Sequence, residues 1–246
     1  MSNTIAVISD IHGNSWALEA VINDIHKRGI NKIINLGDSI YGPLDPIGTI
    51  NILVKNKVIS ILGNEDRVII EHLHTKTNNR ILEHLGKYLH SIVIEWLQEL
   101  LFDFNYEDNI YCCHGSPSNC SEYLLEKVYP NSVAIKSLIE LEQELTNINQ
   151  KIILCGHSHM PKLVEINKKI IVNPGSVGLQ AYQDDQPFFH KMENFSPHAR
   201  YSVIMYSNHS FKINQIAVPY EYEIPALIAL KNGFLDWSRW LETGRV

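Results

Sequence analysis

The sequence predicts an α/β domain that opens on a parallel sheet. Three observations predict it. Short, β-branched apolar runs alternate with stretches of helical spacing, a βαβαβ order over the first 66 residues. Each apolar run ends in a polar cluster containing glycine, the pattern of a sheet that binds ligands outside its strand carboxyl ends. The composition is that of a folded chain with an ample core, 45% hydrophobic and 20% charged over 246 residues. Right-handed crossovers then place the three strand ends on one edge.

The elements follow in order. Residues 4–9 (TIAVIS) read as a buried strand that stops at Asp10-Ile11-His12-Gly13-Asn14. Residues 15–28 carry Trp16, Leu18, Val21 and Ile25 at helical spacing, with Ser15 as the cap and Gly29 as the stop. A second strand, 32–36, ends at Gly37-Asp38. After the loop 41–46 (YGPLDP), Asp45 caps a helix that has Pro46 at its first position and runs to about Asn56. A third strand, 58–62, ends at Gly63-Asn64-Glu65-Asp66. Residues 67–100 are helical with a break near 75–79.

A hairpin follows at 102–106 and 109–113, turning at Glu107-Asp108 and ending at His114-Gly115-Ser116-Pro117. The pattern then predicts helices near 120–128 and 132–148. A strand at 152–155 ends at Gly156-His157-Ser158-His159. Further strands fall near 162–166, 169–172, 201–206 and 211–218, with Asn208 in the last turn. Residues 178–200 hold Tyr182, Phe188, Phe189 and Phe195 without a clear period, which suits an ordered, flap-like segment. The tail, 220–246, is helical, and its Trp237 and Trp240 read as core packing. The expectation is one domain over 1–246.

Several function classes are disfavoured. The net charge of −6 and only six Arg do not suit a long nucleic-acid channel or an anionic membrane surface, so no stable nucleic-acid partner is expected. No apolar run approaches the roughly 18–20 residues that span a bilayer. The four Cys show no framework spacing, and no basic leader precedes the first strand. Reduced thiols and a cytoplasmic location are the corresponding expectations. The oligomeric state stays open.

Five clusters carry the chemistry: Asp10-x-His12, Gly37-Asp38, Gly63-Asn64, His114-Gly115 and Gly156-His157-Ser158-His159. They hold nitrogen and oxygen donors and no thiolate, a set that suits Mn²⁺, Fe or Zn²⁺. In this order, and with the runs SDIHGN, YGP, HGSP and NPGSVG, the whole chain resembles the calcineurin-like metallophosphoesterases, in particular a compact bacterial branch. The resemblance implies a sandwich of two mixed β-sheets flanked by helices, with a dinuclear metal site on one edge. It assigns Asp10, His12, Asp38 and His159 to one metal and Asp38, Asn64, His114 and His157 to the other, with Asp38 bridging.

The resemblance further implies hydrolysis of a small phosphodiester, nucleotide or phosphoanhydride, a dinucleoside polyphosphate among the options. A hydroxide bridging two transition-metal ions, Mn and/or Fe or else Zn, is the nucleophile. Asn64 stabilises the charge that develops on phosphate oxygen. Many relatives carry His after this Asn; here the residue is Glu65, read either as a leaving-group acid or as a partner that orients a metal ligand. Asn14, Tyr41 and Arg67 are the substrate-contact candidates, with Asn14 equally able to cap the first helix. The alternatives are a non-catalytic scaffold on the same fold and a nuclease.

Overall fold

The computed structural model describes residues 3–75, 77–207 and 210–246. Strand β1 (Asn3–Ile8) leads to α1 (Ser15–Lys27), β2 (Ile33–Asn35), α2 (Pro46–Lys55) and the two-residue β3 (Ile59–Ser60). Three helices follow: α3 (Asn64–His74), α4 (Arg80–Leu85) and α5 (Ser91–Gln98). Next come β4 (Asp103–Tyr106), β5 (Ile110–Cys113), β6 (Glu126–Tyr129), β7 (Ser132–Ile135) and α6 (Leu138–Glu144). Then β8 (Ile152–Leu154), β9 (Lys162–Ile166), β10 (Lys169–Asn173), β11 (Ala181–Asp184) and β12 (His190–Glu193) lead to β13 (Ala199–Tyr206) and β14 (Phe211–Val218). Helices α7 (Glu223–Lys231) and α8 (Leu235–Thr243) end the chain.

Two mixed five-stranded sheets face each other, as the family resemblance implies. One has the order β14-β13-β1-β2-β3, the other β4-β5-β8-β10-β9. Strands β1, β2 and β3 are parallel, as are β5, β8 and β10; antiparallel strands complete each sheet. Side-chain alternation sorts the core into layers. Ile5 and Val7 of β1 point between the sheets, where they meet Ile110, Cys112, Leu154 and Val172. Ala6 and Ile8 point outward under Leu18, Val21 and Ile25 of α1. On the far side Cys113, Ile153 and Cys155 pack against Leu141 and Leu145. The four cysteines are buried and unpaired.

The caps explain the helix starts. Asp45 accepts from the Gly48 amide in front of Pro46. The first helix is capped by Asn14, which accepts from the Ala17 amide, and not by Ser15, which lies one position inside it. The third strand is shorter than expected: Ile61 still donates its amide to Asn35 O, and the next amide, of Leu62, turns to Leu101 O.

The helices expected at 120–148 are a correction. The first half is the β6–β7 hairpin, and only α6 is helical. Glu126 and Val128 are buried while Lys127 and Tyr129 are not, a period of two around the Pro130-Asn131 turn. The buried Glu126 hides that period, since a carboxylate reads as a surface residue. Its charge is met by Lys162 and the Ser158 hydroxyl, both at 2.9 Å.

Within 178–200 the chain forms the antiparallel pair β11–β12, from Ala181 opposite Glu193 to Asp184 opposite His190. Helices α7 and α8 pack together, burying Ala226, Ala229, Trp237 and Leu241 against Leu44 and Leu179. Among the described residues no helix is long and apolar enough to cross a membrane. The turn expected at Asn208 and the first two residues lie outside the described residues.

Candidate metal centre

The seven donors converge at one edge of the sandwich. Asp10 and His12 leave the end of β1, Asp38 follows β2, and Asn64 opens α3. His114 follows β5, and His157 and His159 follow β8, so both sheets contribute. Main-chain bonds tie the loops together. The Asp10 amide donates to Gly37 O at 3.0 Å, and the Ile11 and His12 amides donate to Asp38 O at 2.9 and 3.0 Å. The Gly156 amide donates to His114 O at 2.7 Å, which crosses from β8 to β5.

Five of the donors sit in left-handed backbone, with φ of 54° at Asp10, 53° at His12, 52° at Asp38, 65° at His157 and 59° at His159. Such a conformation is uncommon outside glycine and costs about 1–3 kcal/mol per residue. Close approach also shapes the edge. A Cβ on Gly63 would lie 2.0 Å from Asp38 Oδ1. That glycine lets the Asn64 helix N-terminus come against the Asp38 carboxylate, which accepts from the Glu65 amide at 2.9 Å.

Three imidazoles are held in one tautomer. The Nδ1 of His12 donates to Tyr41 O at 2.9 Å, that of His114 to Leu36 O at 2.7 Å, and that of His159 to Leu179 O at 2.7 Å. A carbonyl only accepts, so each Nδ1 carries the hydrogen and each Nε2 is left to face inward. The inward atoms crowd. His12 and His159 bring their Nε2 atoms to 3.0 Å. His114 Nε2 lies 2.9 Å from Asn64 Oδ1 and 3.2 Å from Asp38 Oδ2. His159 Nε2 lies 3.5 Å from Asp10 Oδ1, and Asp10 Oδ2 is buried without a hydrogen-bond partner. Crowded inward nitrogens and an orphaned carboxylate oxygen are what a bound cation would satisfy.

Two groups of donor atoms meet this description, Asp10-His12-His159 and Asp38-His114-His157. A third, His12-Asp38-Glu65, overlaps both and brings Glu65 to the donors. Charges follow the geometry. At Asp38 burial opposes ionisation, but His114 and His12 outweigh it and hold the carboxyl well below its usual value. At Asp10 burial prevails and raises it to about 6. Burial lowers the basicity of His12, yet Glu65, Asp38 and Asp10 lift it to about 9; His159, buried and beside His12, drops well below the ordinary imidazole value.

Asn14 and Arg67 are not among the residues that line the cavity over the donors. The Asn14 amide is engaged as a cap and in bonds to Gly178 O and the Tyr220 hydroxyl, so its position in the fold is structural. Arg67 does not line the cavity over the donors; its guanidinium is held by Glu71 and by the hydroxyl of Ser121, which lines an adjoining hollow with His157. Tyr41 does reach the centre, and its hydroxyl is held by Asn79. The cavity over the donors is about 180 Å³ and adds walls the sequence did not announce: Ile81, Leu179, Trp237 and Trp240. Trp237 stands edge-on to His12, ring centres 5.8 Å apart, and Tyr182 lies 4.6 Å from His159. Asp66 was also missed. It accepts from the Ser39 and Gly63 amides and so ties the loop of Asp38 to that of Asn64. Its position two residues after Asn64 was the available signal.

The chain was compared with known proteins. The model for the calcineurin-like phosphoesterase superfamily domain matches residues 4–192. A protein of Methanocaldococcus jannaschii of uncharacterized function is 27% identical over 267 residues, covering 96% of both chains. The fold is shared with a metallophosphoesterase from Sphaerobacter thermophilus at TM-score 0.75, 20% identity and coverage of 98% of this chain and 100% of that one. It is shared with a hypothetical protein from Pyrococcus horikoshii at TM-score 0.71, 20% identity and 98% coverage of each. The match spans most of the chain and includes the donor-bearing strand ends: the protein belongs to the calcineurin-like phosphoesterase superfamily and is a phosphoric ester hydrolase.

Proposed function

We propose that the protein is a dinuclear phosphoesterase that cleaves a small phosphodiester or nucleotide ester. The observation that carries the reading is the convergence of two donor groups around Asp38, whose carboxylate lies within reach of both. Asp10, His12, Asp38 and His159 would hold one ion. Asp38, Asn64, His114 and His157 would hold the other. Nitrogen and oxygen donors without thiolate suit Mn and/or Fe, with Zn as the other option. A bound pair of ions supplies Lewis acidity at the phosphoryl oxygens and an acidified water.

The chain's own groups do the rest. The backbone carbonyls of Leu36, Tyr41 and Leu179 fix three imidazoles before any ligand arrives. The Asn64 amide, at the start of α3, would meet charge on a phosphate oxygen. Glu65 lies 3.2 Å from His12 Nδ1, and its carboxyl is raised to about 7 by burial, against the opposing pull of His12. That position suits either a proton carrier or a brace for His12. The small cavity favours a compact ester over a polymer.

The test is Mn²⁺ loading, desalting, elemental analysis and turnover of bis-p-nitrophenyl phosphate. Two ions per chain with metal-dependent turnover are expected. Fewer than one ion, with no metal-dependent hydrolysis, would overturn the reading in favour of a scaffold.

A further inference from the structure

Four imidazoles belong to the proposed site, and two of them share one short loop. His157 and His159 leave the end of β8 with Ser158 between them. Both stand in left-handed backbone, at φ of 65° and 59°. Such a loop persists only where its surroundings over-determine it. Ser158 is fully buried. What holds that serine therefore holds one nitrogen donor for each ion.

Its hydroxyl lies in a chain of polar groups. Asn173 Nδ2 donates to Ser158 Oγ at 3.1 Å, and Ser158 Oγ donates to Glu126 Oε1 at 2.9 Å. The Lys162 ammonium donates to the same Oε1 at 2.9 Å. A carboxylate only accepts, so Glu126 fixes the direction of the chain and the orientation of the serine hydroxyl. The strand register brings two members together, since Asn173 of β10 stands opposite Lys162 of β9. Asn173 also donates to Gly156 O at 2.7 Å, one residue before His157.

Glu126 comes from outside this frame. It belongs to β6, whose hairpin joins neither five-stranded sheet. It is 3% exposed, and burying a carboxylate so deeply carries a cost that its two bonds offset. Fold stability alone gives no reason for an ion there, because an apolar residue of similar volume commonly does as well as a buried ion pair. The bond to Ser158 does give a reason.

Resting on the dinuclear reading above, we propose that Glu126 is a positioning residue for both imidazoles of the loop. It acts through Ser158 and touches neither ion nor ester. His159 serves one donor group and His157 the other. Loosening this anchor therefore weakens both ions together, whereas His12 and His114 each belong to one.

Mn²⁺ titration of the full, metal-free chain, with the free ion read by electron paramagnetic resonance, tests this. Ser158→Ala cuts the link from the loop side and Glu126→Met from the hairpin side. Each is expected to weaken both ions by about 10–100-fold, the size usual for residues that orient metal ligands. The double variant is expected to lose no more than either single, because both cut one contact. Glu126→Gln keeps an oxygen that accepts from Ser158 and is expected to recover most of the affinity. The rise in Tm on adding Mn²⁺ is expected to shrink in Ser158→Ala, which a general loss of fold stability does not produce. Unchanged affinity in either single variant, loss confined to one ion, or additive losses in the double variant overturn the proposal and leave the dinuclear reading intact. A wild-type chain that binds fewer than one ion overturns both.

Discussion

The metal edge and the aromatic wall of the same cavity are built by opposite means. At the edge, short loops at strand ends carry the donors, five of them in left-handed backbone. The wall is ordinary structure: two indoles one helical turn apart on α8, and Tyr182 in a regular hairpin. The edge is local in sequence, with pairs such as Asp10 and His12 or His157 and His159 acting together. The wall is assembled from residues 41, 81, 179, 182, 237 and 240. Reaction chemistry is thus written in short motifs, whereas the shape offered to the ester group is written in the tertiary packing.

If that division holds, edge changes destroy metal binding and wall changes alter only substrate binding. The largest effect is expected for Asp38→Asn. Its charge serves both donor groups, so kcat/KM should fall about 10³-fold even in excess Mn²⁺, as for other buried charges that lose their counter-charge. His12→Ala and His159→Ala, each touching one group, should lose less. A near-wild-type Asp38→Asn would break the comparison at its centre.

Next in size is the leaving-group effect at Glu65. If it is a proton donor, Glu65→Gln should lower turnover of alkyl esters by about 10²–10⁴-fold and spare p-nitrophenyl esters. Equal losses on both would make it a brace for His12. Chelation comes third. Ions at 100 times their Kd would add about 2.7 kcal/mol per site, so stripping them should lower Tm by about 10 °C or more. A scan with and without chelator measures it, and an unchanged Tm would mean that no ion stabilises the fold there. The smallest effect belongs to the wall. Replacing residues 183–195 by a short Gly/Ser linker should raise KM several-fold, about 1 kcal/mol, with metal content unchanged. Loss of metal on that replacement would show that hairpin and edge are one unit.

The sequence revealed the edge because donors and glycines recur at each predicted strand end, and a strand end is a place that periodicity locates well. It did not reveal the β6–β7 hairpin, where the buried Glu126 breaks the alternation that marks a strand. Nor did it reveal what Trp237 faces. A tryptophan at helical spacing reads as core, and Trp237 is indeed 7% exposed; only packing against Gly42 and His12 makes it a cavity wall. Asn14 showed the reverse limit. Its neighbourhood suggested a ligand contact, but the amide is engaged by Gly178, 164 positions away.

The left-handed residues at the edge have a consequence for how this chain tolerates change. Aspartate and histidine are among the few side chains that enter that conformation with modest strain, and they are also the ones that bind hard and borderline cations. If the edge holds the proposed ions, backbone geometry and coordination select from the same small alphabet at Asp10, His12, Asp38, His157 and His159. Glycine is the residue that relieves the strain, and it has no donor. Drift towards a more robust fold at these positions therefore runs directly towards an inert one, and a lineage freed from selection for hydrolysis would gain stability by shedding its donors.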